Sequence, residues 1–164
     1  MTEEIRDTSA APQEIRLEVD VAAPVERTWA AATDWDRQGE WMLATRVRAT
    51  AQDGRGVGGG IRAATGFGRL GVVDTMEITG WDPPHGAHVR HLGRVVRGTG
   101  AMEVRERPGG STFVWSEQLD LPLGALGRLG FRLVRPLFLR GLTFSLRRFA
   151  RWAQQHPGSV VPGG

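Results

Sequence analysis

The sequence predicts an α+β fold in which a curved antiparallel sheet of about seven strands surrounds a long C-terminal helix, with two short helices after the first strand. Three observations carry the prediction: an alternating apolar strand near the start, a series of short strands separated by turn residues, and an amphipathic segment near the end. At 164 residues the chain has the length of one domain. We expect a disordered leader at 1–13, one domain at 14–156 and a disordered tail at 157–164.

The long helix is predicted at 136–152, PLFLRGLTFSLRRFARW. At about 100° per residue, one face of this segment collects Phe138, Leu142, Ser145, Phe149 and Trp152. The opposite face collects Arg140, Arg147 and Arg151. An apolar stripe with arginines behind it is typical of a helix laid on a core. A shorter helical piece precedes Pro136, where we expect a kink or a restart.

The first strand is EIRLEVDV, in which charged and apolar residues alternate from Glu14 to Val21. Pro24 then begins a short helix, PVERTWAAATDW, and a second helical turn follows in DWDRQGEWM. Further strands are predicted in TRVRATA, GIRAAT, VVDTMEITGW, HGAHVRHLG and a hairpin that turns at Pro108-Gly109-Gly110. Glycines at Gly58 to Gly60, Gly98 and Gly100 indicate strong bending or bulges in this sheet.

Composition excludes several kinds of function. Cysteine is absent, so disulfides and thiolate chemistry are excluded. No apolar run approaches about 18 residues and the acidic N-terminus lacks the apolar core of a secretion signal, so we expect a cytoplasmic protein. All 21 basic residues are arginine, which explains a high isoelectric point at a net charge of only +3. We therefore expect no nucleic-acid partner.

The glycine-rich segment GRGVGGG does not indicate a nucleotide site. It lacks the Lys-Ser/Thr pair and the strand-to-helix setting of a phosphate-binding loop. A flexible connection between strands is the better interpretation. We expect neither a cofactor nor a metal in this protein.

Strand alternation predicts three polar side chains that point toward the helix: Asp74, His91 and Glu117. Each shares its strand face with large apolar residues, as Glu117 does with Trp115. Buried groups of these types act as general acids and bases on bound carbonyl compounds, or they orient the polar end of a ligand. Alternatively, arginines or backbone donors satisfy each one, and the residues only hold the sheet. A metal site is the least favoured alternative, because the three residues lack tight spacing.

Large apolar side chains are predicted to line a pocket beside these polar groups. Trp35, Trp41 and Trp115 would form walls for a flat or apolar ligand, with core filling as the alternative. The remaining predicted lining residues are Met76, Met102, Phe131, Phe138, Leu142 and Ser145.

The element order, together with the segments APVERTWAAATDWDRQGEW, WDPPHGAHVRHLG and WSEQLDLPLG, resembles the helix-grip superfamily. This superfamily includes START lipid-transfer domains, the birch-pollen allergen fold and polyketide cyclase/dehydrase-like proteins, often grouped as SRPBCC. The resemblance covers roughly residues 14–155. It implies a hydrophobic ligand cavity between sheet and helix. It does not imply one reaction, because members include carriers, sensors and enzymes.

Three functions follow as hypotheses. The favoured one is binding or transport of a small hydrophobic ligand, a lipid, an isoprenoid or a polyketide-like compound. The second is a cyclase or dehydratase that uses Asp74, His91 and Glu117 as acid–base groups. The third is a module that binds a membrane surface or a partner through the face of Arg140, Arg147 and Arg151. The identity of the ligand and the oligomeric state are left open.

Overall fold

The computed structural model describes residues 3–11, 13–67, 70–94, 96–120 and 124–156. The strands are β1 Ile5–Asp7, β2 Glu14–Val21, β3 Thr45–Ala51, β4 Gly60–Phe67, β5 Leu70–Asp82, β6 Gly86–His91, β7 Gly98–Arg107 and β8 Gly110–Leu119. The helices are α1 Val25–Ala32 and α2 Ala125–Gln155, with 3₁₀ helices at Trp35–Glu40 and Gln52–Gly54. The tail predicted at 157–164 lies outside the described residues.

The strands form one antiparallel sheet in the order β1-β2-β8-β7-β6-β5-β4-β3. The α+β class with a long C-terminal helix on this sheet is as predicted, but the sheet has eight strands instead of about seven. The additional strand is β1, which lies in the segment predicted as a disordered leader. Ile5 pairs with Val19 of β2, and Arg6 makes two hydrogen bonds of 3.1 and 2.8 Å to Asp20. These contacts fix a segment whose three strand residues are too few to show an alternating pattern.

Alternation along the strands sets the inward face of the sheet. In β2, the apolar residues Ile15, Leu17, Val19 and Val21 are buried and their charged neighbours are not. Two register shifts interrupt the sheet, one between Ala49 and Ala51 in β3 and one between Ile78 and Gly80 in β5. The first lies opposite Gly60, in the glycine-rich region where bending was predicted.

Helix α2 begins at Ala125, 11 residues before the predicted start at Pro136. Of the kink or restart predicted at this proline, the structure contradicts the restart, because one helix continues through it. Its 31 residues span about 46 Å. Proline has no backbone N–H, so Pro136 leaves the carbonyl of Arg132 without its helical hydrogen bond. Both residues are exposed, so water can donate a hydrogen bond to this carbonyl. The helix can therefore continue through the proline. No helix within the described ranges is long and apolar enough to cross a membrane.

The core contact of α2 lies in its second half. Leu142, Leu146, Phe149 and Ala153 are buried there against the sheet and α1. The ring of Phe149 lies 4.4 Å from that of Phe113 in β8, measured between centroids. This half of the helix therefore anchors α2 to the sheet.

Phe138 is 47% exposed, so its predicted place on the buried stripe is wrong. In the first half of α2 the part-buried residues are Gly127, Phe131, Arg135 and Leu139, which recur every four positions. The helix therefore turns a neighbouring row toward the protein, and Phe138 lies at the border of that row.

Replacing Phe149 with alanine is expected to lower the free energy of unfolding by about 3–5 kcal/mol, because it leaves a cavity among buried aromatic rings. Phe138→Ala serves as the matched control and should cost about 1 kcal/mol or less, because half of this ring already faces water. Urea denaturation of both variants measures the difference. Equal losses in the two variants would contradict the packing described here.

Candidate functional site

The three polar residues predicted to point inward meet in one hydrogen-bonded cluster. His91 Nδ1 lies 2.6 Å from Asp74 Oδ2, and His91 Nε2 lies 2.8 Å from Glu117 Oε2. In its protonated form the imidazole donates a hydrogen to each carboxyl group. We call Asp74, His91 and Glu117 the polar cluster. It connects β5, β6 and β8 across the inward face of the sheet.

The cluster forms because β7, the strand between His91 and Glu117, has glycines where the imidazole lies across it. Strand β7 lies between β6 and β8, and there Gly98 pairs with His91 while Gly100 pairs with Glu117. A Cβ atom placed on Gly100 would lie 2.9 Å from Glu117 Oε2. The two glycines therefore open the space through which the imidazole reaches Glu117.

Of the two alternatives predicted at Gly98 and Gly100, strong bending or bulges, the structure contradicts the bulge. Both residues pair in continuous register with β6 and β8. Gly98 has a φ of +121°, and a Cβ atom there would lie only 2.0 Å from the carbonyl oxygen of Gln118. Side chains at these two positions would collide with the neighbouring strand or with Glu117. Close approach of this kind is, besides bulges, a common reason for glycine within a strand.

Burial and charge set the protonation of the polar cluster. The side chains of His91, Glu117 and Asp74 are 3%, 9% and 15% exposed. Burial opposes charge on the imidazole, but the hydrogen bonds and negative charges of Asp74 and Glu117 outweigh it and raise the pKa of His91 to about 10. Burial also raises the pKa of the Glu117 carboxyl, although His91 works in the opposite direction. Both shifts keep protons on the cluster to higher pH than separate groups would hold them.

Two indole N–H groups find no partner among the described residues, one on Trp115 beside Glu117 and one on Trp41, which contacts Trp115. Trp41 Nε1 and Trp115 Nε1 are both buried and make no hydrogen bond. Their ring centroids are 6.4 Å apart. Trp115 is close enough to Glu117 to favour its charged form, but outside the geometry of a hydrogen bond. We call Trp41 and Trp115 the indole pair.

Asp74 Oδ1 is a third buried atom without a partner in the described part of the chain. It lies on the opposite side of His91 from the indole pair, near Gly93 of the β6–β7 connection. Unpaired donors and an unpaired acceptor thus flank the polar cluster. Sequence reasoning identified the residues of the cluster, but not these free atoms or the role of Gly100. The glycine pair at alternating, inward positions of β7 was the available signal for the crossing.

Two of the predicted lining residues, Trp35 and Ser145, use their polar atoms in hydrogen bonds to the backbone. Trp35 Nε1 donates to the carbonyl oxygen of Gly54 at 2.8 Å and closes the β3–β4 connection. Ser145 Oγ donates to the Gly141 carbonyl at 3.0 Å and accepts from the backbone N–H of Leu43 at 2.9 Å. Ser145 therefore joins α2 to the segment before β3.

The other predicted lining residues divide by their distance from the cluster. Met76 pairs with His91, and Met102 pairs with Trp115, so both border the cluster or the indole pair. Leu142 is buried in the core. Phe131 is part-buried against the core, and the exposed Phe138 is not on the buried face.

Two of the surface grooves formed by the described residues are large, and α2 lines neither of these two. One, of about 370 Å³, is lined mostly by outward residues of β5 to β8 such as His88 and Gln118, together with Gly100 and Glu117. The other, of about 410 Å³, lies between the start of α1 and the β7–β8 hairpin. The ligand chamber predicted between sheet and helix remains a prediction.

The polar cluster is an acid–base site in its chemistry. Both imidazole nitrogens are occupied by carboxyl oxygens and therefore do not point at a common ion. Across the described ranges, no three acidic or histidine side chains are arranged to hold a metal. The imidazole of His91 can hold a proton between the two buried carboxyl groups, and polar atoms without partners lie nearby.

The raised pKa of His91 predicts a specific pH dependence. Because the folded pKa of about 10 lies above the ordinary 6.5, the stabilisation by this proton is complete below about pH 6.5 and is lost as the pH rises through about 10. NMR titration of the His91 ring should report the pKa directly, and urea denaturation should show falling stability over the same range. A ring that titrates near 6.5 would contradict the buried cluster.

Gly100→Ala should lower the pKa of His91, because the added methyl group crowds Glu117 Oε2. Gly130→Ala is the matched control, since a Cβ atom at this helical position meets nothing within 4 Å. The same NMR titration distinguishes the two variants. An unchanged His91 pKa in Gly100→Ala would refute the role assigned to this glycine.

The comparisons with known proteins agree with this architecture. The model of a family described as polyketide cyclase / dehydrase and lipid transport matches residues 12–154. Solved structures of similar fold include the Zhui aromatase/cyclase from Streptomyces sp. R1128, at a TM-score of 0.71 and 14% identity over 93% of this chain and 95% of that one. A Thermus thermophilus protein has a TM-score of 0.72 and 19% identity over 87% and 97%. A Rhodobacter sphaeroides protein has a TM-score of 0.71 and 16% identity over 91% and 97%.

At these identities the structural neighbours establish the fold alone. No functionally curated protein matches the sequence significantly. The family match extends over most of the chain, from before β2 to the end of α2. The chain therefore belongs to the polyketide cyclase/dehydrase and lipid-transport family, within the helix-grip superfamily that its sequence resembles.

Proposed function

We propose that the chain binds a small hydrophobic molecule, a lipid, an isoprenoid or a polyketide-like compound, between the inward face of the sheet and α2. The polar end of the molecule would lie against the polar cluster and the indole pair. Apolar residues such as Met76 and Met102, which border these groups, would contact the rest of the ligand. The family description, which names polyketide chemistry and lipid transport, is consistent with this class of ligand.

The observation that carries the proposal is a charged, hydrogen-bonded cluster buried on an otherwise apolar face. Burying charge costs free energy, and apolar residues of similar size usually fill such a space at no loss of stability. The cluster satisfies most of its own polar atoms, yet Asp74 Oδ1 and both indole N–H groups have no partner in the described residues. A ligand that paired with these atoms would recover part of the cost of burying them.

The free atoms favour a neutral ligand group. Two N–H donors suit a carbonyl or hydroxyl oxygen, and Asp74 Oδ1 suits a hydroxyl donor. A ligand carboxylate would lie near the carboxyl groups of Asp74 and Glu117 and be repelled by any negative charge on them. We therefore expect alcohols, phenols and ketones to bind better than fatty acids.

Acid–base turnover is a second candidate, favoured by the convergence of the three residues. Both imidazole nitrogens contact carboxyl groups, so a proton would reach a ligand through Glu117 or Asp74 and not directly from the ring. Glu117 suits the part of general acid, because burial raises its pKa toward neutrality. Dehydration of a β-hydroxy carbonyl compound is a reaction that needs such groups.

Binding is tested by the thermal shift that a ligand causes. A hydrophobic aromatic or isoprenoid alcohol should raise the Tm of the wild type more than that of Trp115→Ala, which lacks one free N–H donor and its ring. Trp152→Ala is the control, since this indole bonds to Glu40 away from the cluster and its loss should leave the ligand shift intact. Native mass spectrometry of freshly purified protein would identify a bound metabolite. A broad ligand panel without any shift or bound mass would refute the proposal.

The preference for a neutral group is tested with two ligands of equal chain length. A long-chain alcohol should bind at least about tenfold more tightly than the corresponding fatty acid at neutral pH, since one buried charge–charge repulsion exceeds 1.4 kcal/mol. Isothermal titration calorimetry gives both affinities. Tighter binding of the acid would contradict the assignment of these atoms to the ligand.

Turnover is tested with a β-hydroxy thioester whose dehydration creates an absorbing α,β-unsaturated thioester. If the second candidate holds, Glu117→Gln should lower kcat by about 100-fold, the usual scale of a lost acid–base group, while the ligand thermal shift remains. A wild-type rate equal to the uncatalysed rate, with a normal thermal shift, would leave binding as the function.

A further inference from the structure

The outward side of α2, mainly along its first half, carries an exposed apolar ridge. At about 100° per residue, its members lie within about 60° of one line along the helix. We call these residues the leucine ridge: Leu126, Leu129, Leu133, Leu137 and Phe144. Leu126, Leu133 and Leu137 are 73%, 76% and 75% exposed. Single exposed leucines are common, but a row of them along one helix face indicates an interaction surface.

The ridge is not part of the core. The residues of this half that turn toward the protein are Gly127, Phe131, Arg135 and Leu139, which are part-buried. Arg135 also lies 3.7 Å from Asp7 of β1, measured from Nη2 to Oδ2. The ridge projects from the other side of the helix. It is also separate from the polar cluster, which lies on the sheet.

Charge around the ridge has one sign. Helix α2 contains seven arginines and no acidic residue. The whole chain carries a net charge of +3, so the remainder carries −4, the difference between +3 and the +7 of the helix. Arg132 and Arg140 are exposed beside or between the ridge residues, and the exposed Arg147 follows Phe144 on the same side of the helix. A second copy docked ridge to ridge would bring two such helices together, and their charges would repel.

We propose that the leucine ridge docks on an anionic lipid surface. The helix would lie parallel to the surface, with the leucines in the boundary between headgroups and acyl chains and the arginines at the lipid phosphates. Apolar residues flanked by arginines, on a helix without acidic residues, are the arrangement that such a surface selects. This contact involves α2 and is independent of the ligand proposed for the inward face.

The test measures binding of the full chain to vesicles by flotation. Vesicles of phosphatidylcholine with phosphatidylserine should bind the protein at least about tenfold more strongly than phosphatidylcholine alone, and added salt should reduce the difference. The double variant Leu133→Glu/Leu137→Glu should lose about tenfold or more of this binding, because two exposed leucines no longer enter the lipid. Both residues are exposed, so the fold should tolerate the change.

Two further variants separate the contributions. Val57→Glu is the matched control, since this valine is 64% exposed on the β3–β4 connection, outside α2. It should bind vesicles as the wild type does. Arg132→Gln/Arg140→Gln should lower the preference for phosphatidylserine by about fivefold for each arginine while keeping the weak binding to neutral lipid.

Several outcomes would overturn the proposal. These are the absence of vesicle binding, equal binding to neutral and anionic vesicles, and equal losses in the ridge variant and in Val57→Glu. Dimerisation of the wild type that the ridge variant abolishes, without vesicle binding, would assign the ridge to a second copy instead.

Discussion

The polar character of the inward face depends on the imidazole of His91. This ring lies between the carboxyl groups of Asp74 and Glu117, and it reaches Glu117 across Gly98 and Gly100 of β7. It connects β5, β6 and β8 by side-chain hydrogen bonds, in addition to the backbone ladders of the sheet. The contact requires Gly100, because any Cβ atom there meets Glu117. The polar cluster, its raised pKa values and the free atoms beside it all follow from this crossing.

Stability alone does not explain the cluster. A buried ion pair usually contributes little net stabilisation, since desolvation offsets most of the attraction between the charges. Two glycines at the start of β7 further weaken the sheet, because glycine loses more conformational entropy than other residues on folding. The fold is instead secured elsewhere, by the aromatic contacts of Trp41, Phe113 and Phe149 below α2. Trp41 belongs to both regions, since its ring packs against Phe149 while its N–H is one of the free polar atoms.

Periodicity predicted the fold class and the second half of α2. It also predicted that Asp74, His91 and Glu117 lie on the inward face of the sheet. These features follow from alternation in strands and spacing in helices, which are local properties of the sequence. It missed β1, which three residues are too few to reveal, and it placed the start of α2 at Pro136 because a proline usually ends a helix. The meeting of the three polar residues depends on sheet register, which pattern alone does not fix. The same applies to Ser145, whose hydroxyl is committed to two backbone groups.

Because the imidazole of His91 reaches Glu117 across Gly100, substitutions at these three positions should depend on one another as sequences diverge. Gly100 is needed only while Glu117 reaches His91, and His91 is tolerable in the core only while a carboxyl group faces it. A relative that replaced the histidine with leucine would be free to accept alanine or valine at the glycine position and an apolar residue in place of Glu117. These residues lie on three strands, yet they would be gained or lost together, so their joint presence would mark relatives that share this chemistry.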